Sequence, residues 1–330
     1  MKKIILFLFV CCLTLTGCAK YNQKSIVKEL EKKFVKSSGY KVIGNLTVNN
    51  NDEIYNYDVK VDYKKDNLYK VELTNTANDH TQVILKNTDG VYVLTPALNK
   101  SFRFQSEWPY NNSQIYLLDA LLRDIKEDQN RDFKIVDNKY VFNTKVSYPN
   151  NKNLLKQKII VDKNLKFEKV VVYDKSGIDN MTMVFDSIKY SPKFSKNNFS
   201  LDSIIDKDTE VETEESSSLE DVIYPLFLPS GTKLVNEEKV NKTNGERVIM
   251  TYDGEKSFLL VEETADVFNE FTIIPSSGEP FRLMDTLGII TDNSLSWTSG
   301  KTDFYLVSDV MSREEMIEIA QSIGGVPSLK

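Results

Sequence analysis

Cysteine and histidine are almost missing from this chain. Its three cysteines (Cys11, Cys12 and Cys18) all lie in the first eighteen residues, and His80 is the single histidine of 330 residues. A disulfide scaffold, a zinc ribbon and a cysteine nucleophile are thereby excluded for the body of the protein. A histidine-based triad and a multi-histidine metal centre go with them. Long apolar runs are lacking too: the twelve residues 4–15 fall short of the ~20 that cross a bilayer, and no later run is longer. Basic charge is in deficit, 42 Lys and Arg against 48 Asp and Glu for a net charge of −6, a poor balance for general nucleic-acid binding. What is present is ordinary for folded protein: 41% hydrophobic, 27% charged and 11% aromatic residues, enough chain for two domains with cores of their own.

The first seventeen residues read as a signal peptide. Lys2 and Lys3 form its basic start, and residues 4–15 its apolar centre. It ends in Leu15-Thr16-Gly17-Cys18, which resembles the bacterial lipobox. That resemblance implies a diacylglycerol on the Cys18 thiol and cleavage just before it. Two or three acyl chains anchor stably, at about 0.8 kcal/mol per buried methylene. The expected location is the outer face of the cell membrane.

Past the anchor, residues 24–36 show a helical period, with Ile26, Leu30 and Phe34 on one face. Lys24, Lys28, Lys32 and Lys36 fall opposite, with Lys20 just upstream. Such a stripe can face anionic headgroups at about 1 kcal/mol per lysine. The same spacing also describes the wet face of an amphipathic helix, and Glu29 and Glu31 dilute the stripe. Eleven strands follow by alternation: 40–48, 54–64, 68–75, 82–86, 91–95, 102–105, 133–136, 140–148, 156–162, 167–173 and 181–190. A helix over 113–125, capped by Ser113, interrupts them. Their short links require antiparallel pairing. The expected fold is therefore α+β: one large curved antiparallel sheet with helices on one face over residues 18–201. An acidic linker over 202–221 and a small α+β domain over 222–330 complete it. Six strands are expected there (233–240, 247–252, 258–263, 287–291, 294–298 and 304–308). A last helix starts at Ser312, whose capping box closes on Glu315, and Gly324, Gly325 and Pro327 end it.

Chemical motifs fail on inspection. Ser299-Gly300-Lys301-Thr302 has Leu295 where a phosphate loop needs glycine, and it leads into a strand. Ser25-Ile26-Val27-Lys28 lacks the partner motifs of penicillin-recognising enzymes. Asp206-Lys207-Asp208 lacks the glycine and terminal glutamate of a calcium loop. No metal, cofactor or catalytic residue is implied, and the chain reads as a binder, not an enzyme. A curved sheet partly covered by helices leaves a hollow suited to apolar ligands. Phe34, Phe102, Phe104, Trp108, Tyr116 and Phe142 are its candidate lining, and Trp108-Pro109 a candidate hinge for a helical lid. The same six residues would equally fill a packed core.

Residues 82–96, around Asn87-Thr88-Asp89-Gly90, and 99–109, with Phe102-Arg103-Phe104 and Trp108-Pro109, resemble the YdcC-like sporulation lipoproteins of the LolA/LolB/RseB superfamily. The spore-germination lipoprotein GerS is similar, and Trp297, 303–308 and the 312–323 helix resemble a small domain appended to such proteins. The resemblance implies a half-open, LolA-like barrel that holds acyl chains, acylated proteins or hydrophobic peptides, in sporulation or envelope biogenesis. It equally implies a second role, as the non-catalytic partner of a cell-wall (spore cortex) amidase or of an envelope-stress signalling protein. A chain tethered through Cys18 would receive, present or sense a ligand, since only a soluble carrier can ferry one. No ligand-binding residue carries over from the family.

Overall fold

The computed structural model describes residues 22–50, 53–110, 113–148, 151–205, 219, 222–268, 270–283 and 286–323. Cys18, Lys20, nearly all of the acidic run and the Gly324-Gly325 stop lie outside them.

Helix α1 (Gln23–Lys36) begins where Asn22 Oδ1 accepts from the Ser25 amide at 2.8 Å, and it buries Ile26, Val27 and Leu30. Six strands follow: β1 (Gly39–Asn50), β2 (Glu53–Lys64), β3 (Leu68–Asn75), β4 (Thr81–Asn87), β5 (Gly90–Thr95) and β6 (Lys100–Phe104). Helix α2 (Leu118–Glu127) precedes β7 (Asp132–Val136), β8 (Lys139–Lys145), β9 (Leu154–Val161), β10 (Phe167–Asp174) and β11 (Asp179–Tyr190). These eleven strands make one sheet of antiparallel neighbours in the order β6 through β1, then β11 down to β7. The order is linear, so the sheet stays open. Side chains of β1, β2, β3, β8, β9, β10 and β11 share one core with Leu30 of α1 and Leu121 of α2. The sheet therefore bends around its two helices.

One bulge keeps that core continuous. In β11 the inward residues are Met181, Met183 and Phe185, then Ile188 and Tyr190, a change of parity where the β1 pairing jumps from Gly44–Phe185 to Ile43–Ser187. Gly44 sits at the jump, where a Cβ would lie 2.2 Å from the Val184 carbonyl oxygen. A second, smaller core lies behind β4 and β5, where Val83, Leu85, Tyr92 and Leu94 meet Phe199 and Ile204. Ile204 belongs to α3 (Asp202–Ile205), a single turn within the span read from sequence as linker.

The rest of the chain forms β12 (Lys233–Lys242), β13 (Gly245–Asp253), β14 (Phe258–Thr264), β15 (Thr272–Ser276), β16 (Glu279–Leu283), β17 (Thr286–Ile290), β18 (Ser294–Ser299), β19 (Thr302–Val307) and α4 (Arg313–Ser322). Seven strands build a second antiparallel sheet, β12-β13-β14-β19-β18-β17-β16, and α4 packs Met316, Ile319 and Ala320 on it. The capping box at Ser312 and Glu315 is present.

Three expectations need correction. The helix read over 113–125 starts only at Leu118, because Ser113 is tied to strand-like backbone: its amide donates to Ser147 O and its Oγ accepts from Ser147 N. β8 ends at Lys145, three residues short of the 140–148 expected. β15 and β16 have no counterpart in the expected list. β15 leaves its neighbours in the chain and adds to the large sheet, parallel to β6, as a twelfth strand. It covers an edge that would otherwise present bare backbone. The two sheets are further joined by a buried ion pair, Lys100 Nζ to Asp303 Oδ2 at 3.0 Å.

Candidate functional site

Two hollows open on the core of the large sheet, and they share no lining residue. The larger, about 380 Å³, lies between the C-terminal end of α1, the middle of α2 and the start of the sheet. Strand register sets its two lining tyrosines, Tyr40 and Tyr63, in the middle of a row of four. Tyr190, Tyr40, Tyr63 and Tyr69 stand directly opposite one another across β11, β1, β2 and β3. The Tyr40–Tyr63 and Tyr63–Tyr69 rings lie 4.8 and 4.7 Å apart, while Phe34 meets Tyr40 edge-on at 6.0 Å and Trp108 meets Tyr69 at 5.6 Å. Rings at these separations attract beyond their buried area.

Asp119 of α2 holds the row in place. Its Oδ1 accepts from Tyr40 and its Oδ2 from Tyr69 at 2.9 Å. Burial, followed by the nearby Asp119 charge, raises the phenols of Tyr40 and Tyr69 far above their ordinary range and pushes Tyr63 up to about 12. They stay neutral at any physiological pH, so the floor is apolar faces with hydroxyl edges. Val35 and Leu122 make the walls, and Lys65, Arg123, Lys126 and Glu127 the rim. Lys126 pairs with Glu31 across the helices, on the solvent side. Exposed pairs of this kind contribute at most about 1 kcal/mol, so the rim is weakly fastened.

The smaller hollow, about 110 Å³, lies where the second sheet meets the first. Ile84, Trp108, Tyr116 and Met181 line one side, Phe281, Arg282 and Leu287 the other, and Asn49, Asn151 and Asn180 the margin. Nearby, Asp124 of α2 is buried and accepts from Gln157 Nε2 at 2.7 Å, and burial pushes its carboxyl up to about 6. Among the described residues no three His, Cys, Asp or Glu side chains are placed to hold a metal ion.

No protein-family model matches the sequence. Sporulation protein YdcC of Bacillus subtilis (strain 168) is 38% identical over 320 residues, which span 96% of this chain and 94% of that one. The chain belongs to the YdcC family of sporulation proteins. Among solved structures, MucB in complex with MucA(peri) matches 91% of this chain and 98% of its own, at 11% identity and a TM-score of 0.32. A putative outer membrane lipoprotein-sorting protein domain from Vibrio parahaemolyticus matches 55% and 96%, at 13% and 0.35. A chain of the Clostridioides difficile CwlD amidase–GerS lipoprotein complex matches 52% and 96%, at 17% and 0.25.

In this YdcC-family protein the six aromatic residues singled out from sequence separate. Phe34 borders the larger hollow, and Trp108 and Tyr116 border the smaller. Phe104 and Phe142 are buried in the core, Phe102 packs against it half-buried, and none of the three lines either hollow. The helix that follows Trp108-Pro109, α2, buries Leu118, Ala120, Leu121, Leu122 and Ile125. Lys24, Lys28, Lys32 and Lys36 are all exposed, and Lys32 pairs with Glu29 at 2.5 Å. Cys18 and Lys20 lie outside the described residues. Sequence reasoning missed the tyrosine row. A signal for it existed: the tight 65–67 turn sets Tyr63 against Tyr69, so two rings on one face follow from hairpin register.

Proposed function

We propose that this sporulation protein is a lipid-anchored, extracytoplasmic binder that seats an apolar chain, from a lipid, an acylated protein or a peptide, in the larger hollow. The observation that carries the reading is a cleft of about 380 Å³ lined by the neutral rings of Tyr40 and Tyr63, with Phe34 beside them, and bounded by two helices joined across their rim by an exposed ion pair. The Tyr40 and Tyr69 hydroxyls are already engaged by Asp119, which leaves ring faces for the ligand. An anchor at Cys18 would put the start of α1 at the membrane. The hollow would then sit about 20 Å further out, the length of the helix. The lysine face of α1 would run along that path.

The test is binding of the fluorescent fatty acid parinaric acid to the mature chain and to Val35→Trp. Val35 is 66% exposed, so the larger side chain fills the hollow from outside without disturbing the core. Saturable binding that weakens at least about tenfold in the variant supports the reading. Equal binding by both proteins overturns it.

A second reading rests on the far edge of the small sheet. β12 pairs only with β13 among the described strands and exposes Leu234, Val235 and Val240. An extended segment of a protein partner could add there as a further strand. This would make the chain a regulatory partner of an envelope protein, such as an amidase, with its own hollow filled.

A further inference from the structure

The smaller hollow holds an arginine that its neighbours, Tyr116 among them, engage only in part. Arg282 enters it from β16 of the second sheet and lies against two rings, its guanidinium carbon 5.4 Å from the centre of Tyr57 on β2 and 5.9 Å from that of Tyr116 just before α2. Its Nη2 is shut off from solvent and has no hydrogen-bond partner. A buried guanidinium nitrogen without an acceptor carries a desolvation penalty that native structures seldom leave standing. The residues around it offer no anion: the lining contains one cation, no carboxylate, several side-chain amides and a majority of apolar and aromatic groups. The hollow beside Arg282 has room for a small group, being many times the volume one water needs.

We propose that this junction hollow is a binding site for a single oxyanion group, a carboxylate or phosphate carried on an apolar body, with Arg282 Nη2 as its principal donor. The cation, the lack of any opposing charge and the amides at the margin select the anionic head, since guanidinium matches such oxygens in geometry and charge. Trp108, Ile84 and Leu287 give the body a dry wall. Because β16 supplies the arginine while β1, β4 and β11 supply other walls, the site exists only when the two sheets are docked, and an occupant would bind them together. This site is separate from the apolar cleft at the helices, and either can fail without the other.

Calorimetric titration of the mature chain with inorganic phosphate and with hexyl phosphate tests the assignment. One-to-one binding of hexyl phosphate is expected, with phosphate alone weaker or silent; equal binding of the two would overturn the apolar body of the assignment. Arg282→Met should weaken binding about tenfold or more, the usual effect of losing a hydrogen bond to a charged group. Should that variant fail to fold, Asn151→Asp serves in its place. It keeps the Oδ1 that accepts from the Asn153 amide at 3.1 Å and adds a negative charge to the margin, so it too should weaken binding. Two results overturn the assignment: no saturation by either probe below about 10 mM, or binding in the variants that equals the unmodified protein.

Discussion

Replacing Lys100 with Met should loosen the docking of the two sheets more than any surface change. Lys100 and Asp303 are 5% and 4% exposed, and Lys100 Nζ lies 3.2 and 3.0 Å from the two carboxylate oxygens. Thr298 also donates to Asp303 Oδ1, so the carboxylate keeps one neutral partner when the lysine goes. Breaking a buried pair by removing one member strands the other charge, at a cost of about 3–5 kcal/mol. At ~3 kcal/mol/M in urea that lowers the unfolding midpoint by roughly 1–1.7 M. The chain has two tryptophans, Trp108 in the core of the large sheet and Trp297 in that of the small one. Trp108→Phe and Trp297→Phe backgrounds therefore follow each sheet separately by fluorescence. Coincident transitions are expected before the change and separated ones after it, with Trp297 moving first. The double variant Lys100→Met/Asp303→Leu should recover most of the loss, because a buried pair replaced by apolar groups is often neutral. A single variant that loses under about 1 kcal/mol would refute the reasoning, as would a double variant as unstable as the single.

Two further outcomes can be checked by the same unfolding curves. Glu262 is 0% exposed, its Oε2 accepts from the Ile223 amide at 3.0 Å, and burial pushes its carboxyl up to about 7 from an ordinary 4.5. Between those values the folded protein holds a proton that the unfolded chain has released, so stability falls as pH rises through the window and stays low above it. Glu262→Gln should remove that slope and be the more stable form at pH 8 by an amount on the order of 1–3 kcal/mol, with little difference at pH 4.5. Ser312→Ala should cost about 1 kcal/mol by opening the capping box of α4, seen as an earlier Trp297 transition, whereas Ser312→Thr should cost much less.

Much of the architecture was legible in the order of residues. Alternation located eleven of the twelve strands of the large sheet to within a few residues, a face of Ile26, Leu30 and Phe34 marked α1, and Ser312 with Glu315 marked the start of α4. Kinship to the YdcC proteins was legible as well, in the stretches around Asn87-Thr88-Asp89-Gly90 and Trp108-Pro109. These features depend on periods of two or 3.6 residues and on contacts a few positions apart, which a chain specifies before it folds. Other features needed the folded molecule. Ser113 looks like a cap until Ser147, 34 positions on, claims both its amide and its hydroxyl. β15 shows little of its role, because a parallel strand pairs with an edge brought to it by the rest of the fold. The tyrosine row, Arg282 between Tyr57 and Tyr116, and the pairing of Lys100 with Asp303 likewise join residues that only tertiary closure makes neighbours. Aromatic composition could suggest that a hollow exists; only the packing of two helices and two sheets decides which rings line it and which fill the core.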